Sequence, residues 1–278
     1  MELQNKIDFM VFVTATDCNP NGDPLNGNRP RTRYDGYGEI SDVCIKRKIR
    51  NRLIDLGQNI FVQSDDKNVD GYKSLSERAL AILSGKDKDA DTKKACETWI
   101  DVRSFGQVFA FKGKKGGEGV SIPVRGPVTV RTAVSCSPVD VNTMQITKSV
   151  NSEPGEGKSS DTMGTKHRVG FGLYKIMGSI NVQLAEKTGF SEEDAELIKQ
   201  CLKTLFINDV SSARPDGSME VVKMLWWQHN CKEGQYSSAK VHNSVSVTLN
   251  EGVSMPKTFE DYTITVSALD GLSVEEVV

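Results

Sequence analysis

The first clear pattern along the chain lies in residues 6–15, where apolar and polar positions alternate imperfectly and Val, Phe and Thr are abundant. Alternation of these residue types predicts a β-strand, and the mostly apolar composition predicts a central place in a sheet. Later segments are also rich in β-branched residues, which favour strands. The strands predicted on these grounds cover residues 120–135, 139–150, 169–186, 219–228, 242–249 and 262–267.

Helical periodicity is clear in residues 41–57, which read SDVCIKRKIRNRLIDLG. Ser41 and Asp42 can cap the start of this helix, and Gly57 supplies the left-handed residue that commonly ends one. At about 100° per residue the isoleucines and leucines share one face, and Arg47 lies on the other with its basic neighbours. We therefore expect one face to pack and the other to stay cationic. Further helices are predicted over residues 88–100 and 191–208.

The predicted elements follow one another as strand, helix, insertion, strands, excursion, strand, helix and strands. Without the insertions this order is close to the β-α-β-β-α-β plan of ferredoxin-like domains, which RNA-recognition domains share. The predicted fold class is α+β, with a single RNA-recognition-like domain over residues 1–278. One insertion covers residues 58–120, and residues 151–168 form a Gly/Ser/Thr-rich excursion that cannot build a core of its own. This fold is too common to indicate a function.

The net charge of −2 hides an uneven distribution of charge along the chain. Residues 101–185 carry 11 basic and six acidic residues, whereas residues 186–278 carry eight basic and 15 acidic residues. Such a division allows one surface to bind a polyanion and another to meet basic neighbours, although mixed charges also aid solubility.

Cysteine and histidine usage argues against several classes of protein. The six cysteines lack CxxC spacing and no signal peptide precedes them, so we expect reduced thiols in a cytoplasmic protein. No apolar run approaches the roughly 20 residues that span a bilayer, so we expect no membrane insertion. The three histidines lack zinc-binding spacing, and no dinucleotide or Walker motif is present. No metal or cofactor is therefore predicted.

The densest basic window runs from Arg29 to Arg52, with eight basic and three acidic residues. Guanidinium and ammonium groups bind phosphate oxygens, and counterion release drives their binding to a nucleic-acid backbone. The same side chains can instead cover apolar surface on a solvated helix, so composition leaves both interpretations open.

The excursion before the next predicted strand ends in Met163, followed by Lys166, His167 and Arg168. An apolar side chain such as Met163 can insert between bases while the basic residues that follow it bind phosphates. Alternatively, Met163 folds back onto the body of the protein.

Carboxylates near the basic window offer a catalytic alternative. Asp17, Asp23 and Asp35 lie among the arginines, and such a group can ligate magnesium for phosphodiester cleavage. An Asp in the sequence PNGDP, however, more often bonds to the backbone of a turn. Nucleophilic catalysis is disfavoured, because no Ser or Cys motif accompanies the histidines.

Several ordered blocks span nearly the whole chain and resemble one known family. They read NPNGDP, GNRPRT, SDVCIKRKIRN, DVRSFGQVFA, GPVTVRTAVS, QITKSV, TMGTKHRVGFGLYKIMGSINVQLAEKTGFSEED and SSARPDGSM. The chain is similar in these blocks to the backbone subunit of the CRISPR-associated Cascade complex, subtype I-C (Dvulg type), of the RAMP superfamily. The resemblance implies an RNA-recognition-like palm with finger-like (58–120) and thumb-like (135–168) insertions.

The resemblance also implies a non-catalytic function. The family's subunits oligomerise head to tail along the CRISPR guide RNA, associate with other Cascade subunits, and present the spacer for pairing with target DNA. Carried onto this sequence, the expected RNA contacts fall on Asn19, Asn21, Arg29, Arg31, Arg33, Lys46, Arg47, Lys48, Arg50, Met163, Lys166, His167 and Arg168. Two alternatives remain: an RNA endonuclease of the type III backbone kind that uses Asp23, and a single-strand RNA binder that works alone.

Overall fold

The computed structural model describes residues 1–111, 120–147 and 163–277. The strands are β1 (Ile7–Cys18), β2 (Gly22–Asp23), β3 (Arg29–Pro30), β4 (Tyr37–Ile40), β5 (Gln107–Phe111), β6 (Val120–Val124), β7 (Val128–Val130), β8 (Ala133–Pro138), β9 (Val141–Thr147), β10 (Met163–Ile180), β11 (Met219–Gln228), β12 (Val245–Leu249), β13 (Tyr262–Val266) and β14 (Glu275–Val277). The helices are α1 (Asp42–Asp55), α2 (Leu75–Ile82), α3 (Lys88–Thr98), α4 (Ile100–Phe105), α5 (Val182–Thr188), α6 (Glu192–Lys203) and α7 (Ser238–Asn243).

A large antiparallel sheet organises the fold. Its strands follow the order β14-β11-β1-β10-β8-β4, and both β7 and β9 also pair with β10. Strand β1 lies between the two longest partners and pairs with β10 from Ile7, opposite Ile180, to Cys18, opposite Val169. The central position predicted for the first strand is confirmed, as is a mixed α/β architecture.

The two faces of the sheet carry separate cores because β1 is apolar on both sides. Phe9 and Val11 belong to the core covered by α1, α5 and α6, whereas Met10 and Phe12 belong to the core covered by α7, β12 and β13. We call these the α1 face and the α7 face. Alternation along a strand sends successive side chains to opposite faces, so one buried strand serves both cores.

Residues 58–111 and 120–124 build a smaller core of their own. Phe61 packs against Trp99 and Phe109, with ring centroids 4.8 Å and 4.9 Å away. Around these rings lie α2, α3, α4 and the β5–β6 hairpin. Aromatic contacts of this kind contribute about 0.5–1.5 kcal/mol beyond the burial of area. We call this part the 58–124 unit.

Most predicted elements are present, but helices α2, α4, α5 and α7 were not predicted, and α7 covers the start of the strand predicted over residues 242–249. Helix α1 starts after Ser41, whose hydroxyl accepts from the backbone N–H of Cys44, and ends before Gly57 at φ 76°. The predicted strand over residues 169–186, however, is wrong beyond Ile180. There the Asn181 side chain accepts from the Leu184 N–H, 2.8 Å away, and starts helix α5.

The structure describes all six cysteines, and each carries a free thiol. In the described part of the chain, no helix is both long and apolar enough to cross a membrane.

Candidate nucleic-acid interface

The first loop (residues 19–36) is held in shape by two asparagines. Asn19 is buried and donates through Nδ2 to the carbonyl of Asn28, 2.7 Å away. Asn21 accepts through Oδ1 from the backbone N–H of Ser41, 2.9 Å away, which ties the loop to the start of α1. The amides of both residues position the loop, and their contact with RNA stays a prediction.

The three arginines of the loop share one face. After β3 the chain stays extended as far as Arg33: the backbone N–H of Arg31 donates to the carbonyl of Asn21 (2.9 Å), and that of Arg33 donates to the carbonyl of Tyr37 (2.7 Å). Alternate residues of an extended chain point to the same side, about 7 Å apart. Arg29, Arg31 and Arg33 therefore form a row of guanidinium groups.

Nearby carboxylates only partly neutralise this row. Arg33 Nε lies 2.8 Å from Glu39 Oε1, and Arg31 Nη2 lies 3.5 Å from Asp23 Oδ1. The Arg33 and Arg31 side chains remain 47% and 39% exposed. Exposed ion pairs of this kind are weak, at about 0–1 kcal/mol, so a phosphate can compete for the remaining N–H donors.

The loop meets the hairpin formed by β9 and β10 at a shared hydroxyl. Arg29 Nη1 donates to Thr143 Oγ1 at 3.0 Å, and the same oxygen lies 2.9 Å from His167 Nδ1. Thr143 lies directly opposite His167 in the strand pairing. The structure thus brings the loop arginines and His167 onto one surface, which we call the loop–hairpin surface (Arg29, Arg31, Arg33, Thr143 and His167).

Other predicted residues of the hairpin lie elsewhere on it. Strand alternation places Lys166 and Arg168 on the face opposite to His167. Lys166 is exposed, and Arg168 Nε lies 3.5 Å from Asp17 Oδ1. The hairpin therefore presents Lys166 and Arg168 on one face and the His167 imidazole on the other.

Met163 is 48% exposed and pairs with Thr147 at the outer end of the described hairpin. Its sulfur lies 2.9 Å from Nε2 of Gln145. An exposed thioether at this position is compatible with the predicted wedge. Residues 148–162 of the predicted thumb lie outside the described residues.

The expectation that the basic face of α1 stays unpacked is wrong. Lys48 is buried and forms an ion pair with Asp209. Arg50 Nε bonds to Oδ2 of the fully buried Asp101 at 2.9 Å, and its guanidinium lies over the Phe105 ring, 5.1 Å from the centroid. The acidic partners come from distant parts of the chain, so periodicity within α1 does not reveal them.

The two remaining basic residues of this face are also engaged. Arg47 Nη1 donates to the carbonyl of Val62 at 2.7 Å, and Lys46 Nζ lies 3.1 Å from Asp42 Oδ2. Burial, helped by the nearby positive charge of Arg50, lowers the pKa of Arg47. Arg47 and Arg50 thus connect α1 to the 58–124 unit, and their contact with RNA stays a prediction.

Two of the three candidate catalytic carboxylates bond to the backbone, whereas Asp17 lies beside Arg168. Asp23 caps a short 3₁₀ helix at Pro24–Asn26 and accepts from the Leu25 N–H, as the turn interpretation predicts. Asp35 accepts from the N–H of Tyr37 in a similar turn. Across the described residues, no group of three or more metal-binding side chains comes together.

Comparisons with known proteins agree on one family. A family model described as CRISPR-associated protein Cas7 matches residues 5–267. The CRISPR-associated protein Cas7 of Haloferax volcanii is 25% identical over 286 residues, which cover 97% of this chain and 83% of that protein.

Two chains from solved structures were compared with this one, and the likeness in fold rests on the first. A chain from a structure named "CRISPR RNA-guided surveillance complex, pre-nicking" superposes with a TM-score of 0.50 at 16% identity, over 80% of this chain and 78% of the other. A chain from a "CRISPR RNA-guided surveillance complex" gives a TM-score of 0.45 at 16% identity, over 80% and 68% of the two chains.

Proposed function

The chain belongs to the Cas7 family of CRISPR-associated proteins, and on that premise we propose that it is a non-catalytic subunit that binds CRISPR guide RNA. The observation that carries the proposal is the Thr143 hydroxyl, which lies within hydrogen-bond distance of both Arg29 and His167. That contact joins the first loop and the hairpin into one cationic surface. The RNA contacts are assigned to this surface first.

The row of arginines suits a phosphate backbone better than bases. A guanidinium offers donors in a planar fork that matches two phosphate oxygens. Three such groups on an extended chain, held rigid by backbone hydrogen bonds, follow a strand of phosphates without reading sequence. Sequence is then read by pairing between the guide and its target DNA.

We further propose the finer assignments that the sequence suggests. The large sheet with α1 and α6 is the RNA-recognition-like palm, residues 58–120 are the fingers, and residues 135–168 are the thumb. The subunit belongs to a subtype I-C Cascade complex and assembles head to tail with copies of itself and with other Cascade subunits. The acidic C-terminal third (186–278) supports such contacts, because it complements a basic neighbouring surface.

An RNA endonuclease using Asp23 is the competing function. Its carboxylate already caps a turn and pairs with Arg31, and it lacks the second and third ligands of a metal site among the described residues. Incubation with complementary RNA and magnesium distinguishes the two functions. We expect intact RNA, and cuts that disappear in Asp23→Ala would establish the nuclease instead.

The binding surface is tested with a triple variant, Arg29→Gln, Arg31→Gln and Arg33→Gln. Fluorescence anisotropy of a labelled single-stranded RNA should show at least a tenfold loss of affinity at low salt, because three cations that neutralise phosphates are removed. A matched control replaces Lys93, Lys94 and Lys232, which removes the same charge elsewhere. Equal losses in both triple variants would contradict the assignment.

A further inference from the structure

A cavity of about 500 Å³ opens on the α7 face of the sheet, beside the first loop. Three cationic side chains line it: Arg33 from the loop, Arg131 from the segment between β7 and β8, and Lys175 from β10. Tyr37, Thr132 and Cys136 add polar groups to the wall, and Met177 and Val247 close it on the apolar side. We call it the Lys175 cavity.

Lys175 occupies an unusual position for a lysine. It lies within the central sheet, paired with Phe12 on one side and Val134 on the other, and is half-buried. Over residues 1–111, 120–147 and 163–277, no carboxylate lies within 4 Å of its ammonium group. Lys175 is therefore a partly buried cation whose ammonium group no carboxylate neutralises among the described residues.

A second lysine of the same sheet shows the contrast. Lys223 pairs with Phe12 from the opposite side, so the two lysines flank one phenylalanine. The Lys223 ammonium forms an ion pair with Glu276 on the neighbouring strand β14. The sheet thus supplies an anion to one of these lysines and leaves the other facing a cavity.

The remaining charges of the cavity add up to an anion site. Arg131 is exposed, and within the described ranges no carboxylate pairs with it. Arg33 shares its charge with Glu39. Asp35 is the acidic lining residue, and it is occupied by the Tyr37 N–H. With Glu39 counted, the three cations are opposed by two carboxylates, and Lys175 and Arg131 are the two cations that no carboxylate pairs with in the described ranges. The space between them is large enough for a tetrahedral oxyanion and its water.

We propose that the Lys175 cavity binds a phosphate group, with Lys175 and Arg131 as its main ligands and Arg33 as the link to the loop–hairpin surface. Two sources of phosphate share this chemistry: a phosphodiester of a bound RNA strand, and free inorganic phosphate. The strand source rests on the proposed function, whereas binding of free phosphate does not. Arg33 belongs to both sites, so a strand held by the first loop can place its next phosphates in the cavity.

The test compares Lys175→Met with Lys223→Met, which removes an equal charge from the other side of Phe12. Arg131→Gln, on an exposed residue, serves as a second variant that leaves the sheet intact. Binding of a labelled single-stranded RNA is measured over a range of salt concentrations, and binding of inorganic phosphate alone is followed by ³¹P NMR. Circular dichroism establishes that each variant is folded.

If the cavity binds a phosphodiester of the RNA strand, Lys175→Met and Arg131→Gln should each reduce the slope of log affinity against log salt by about 0.7, and Lys223→Met should leave it unchanged. If the cavity instead binds free phosphate, the salt slope of RNA binding should be unchanged in the cavity variants. The ³¹P signal of inorganic phosphate should then shift when the native protein is added and should not shift with either cavity variant. Either result supports the cavity as a phosphate site. No phosphate effect in either assay, or equal effects of Lys175→Met and Lys223→Met, overturns it.

The outcomes also separate this proposal from the proposed function. If the native protein binds no RNA, the proposed function fails, and the phosphate measurement still decides the cavity. If RNA binds and the triple loop variant abolishes that binding while both cavity variants behave as native, the cavity proposal alone fails.

Discussion

Replacing Arg50 by Met perturbs the contact that joins α1 to the 58–124 unit. The Asp101 carboxylate is fully buried, and it accepts from Arg50 Nε (2.9 Å) and from the backbone N–H groups of Phe61 (2.7 Å) and Val62 (3.0 Å). Methionine keeps an apolar chain over the Phe105 ring but leaves the carboxylate without its counter-charge. The variant therefore isolates the ion pair from the packing.

The size of the effect follows from what remains around Asp101. Removing one partner of a buried ion pair costs about 3–5 kcal/mol. The two backbone donors stay in place, so we expect about 3 kcal/mol, the lower end of that range. In urea unfolding with a slope near 3 kcal/mol/M, the midpoint should fall by about 1 M.

Arg33→Met is the matched control, because Arg33 also pairs with one carboxylate but is 47% exposed. It should cost about 1 kcal/mol or less. Asp101→Asn combined with Arg50→Met should restore part of the loss of stability, since the buried charge is then gone. If Arg50→Met destabilises no more than the control and instead lowers RNA affinity, Arg50 is a free phosphate ligand and our description of α1 is wrong.

Two further predictions concern other parts of the protein. Asp8 is buried, and although desolvation opposes the shift, its bonds to His229 and Lys6 lower its pKa below 3.8. The ionised carboxylate therefore stabilises the fold above that pH, and this stabilisation is lost as the pH falls through the lowered pKa. Asp8→Asn should therefore flatten the loss of stability below pH 4 in acid titrations followed by circular dichroism, and an unchanged acid profile would contradict this. A thiol reagent at pH 8 should label one cysteine quickly, the exposed Cys231, and the rest slowly, because burial raises the thiol pKa to about 11 at Cys96 and Cys136 and to about 12 at Cys201. Rapid labelling of several thiols, read by mass spectrometry, would show that the packing around them is wrong.

Local patterns in the sequence predicted the elements that bury one continuous face. Strand β11 has the predicted bounds, and α1 and α6 begin after the predicted caps Ser41 and Ser191. Helix α2 was missed, although Ser74 and Glu77 form the S-x-x-E signal of a helix start. The apolar stretch of α2 is short, and the helix is stabilised by its packing within the 58–124 unit.

The candidate site was only partly predictable. The arginines of the first loop stand at every second position in the sequence, which predicts that they share a face where the chain is extended. The sequence does not show which of its cations are neutralised, because the acidic partners of Arg50 and Lys48 lie 51 and 161 residues away along the chain. Thr143 and Lys175 carry no local signal either, since only the pairing of β10 with its neighbours reveals what faces them.

The most direct test of the central claim is the salt dependence of RNA binding by the native protein and by the Arg29, Arg31 and Arg33 triple variant. The loop–hairpin surface predicts that the slope of log affinity against log salt becomes shallower by about 2 in the variant, at roughly 0.7 for each single-strand phosphate that an arginine no longer neutralises. Parallel lines for the two proteins would show that the loop arginines do not hold the RNA backbone.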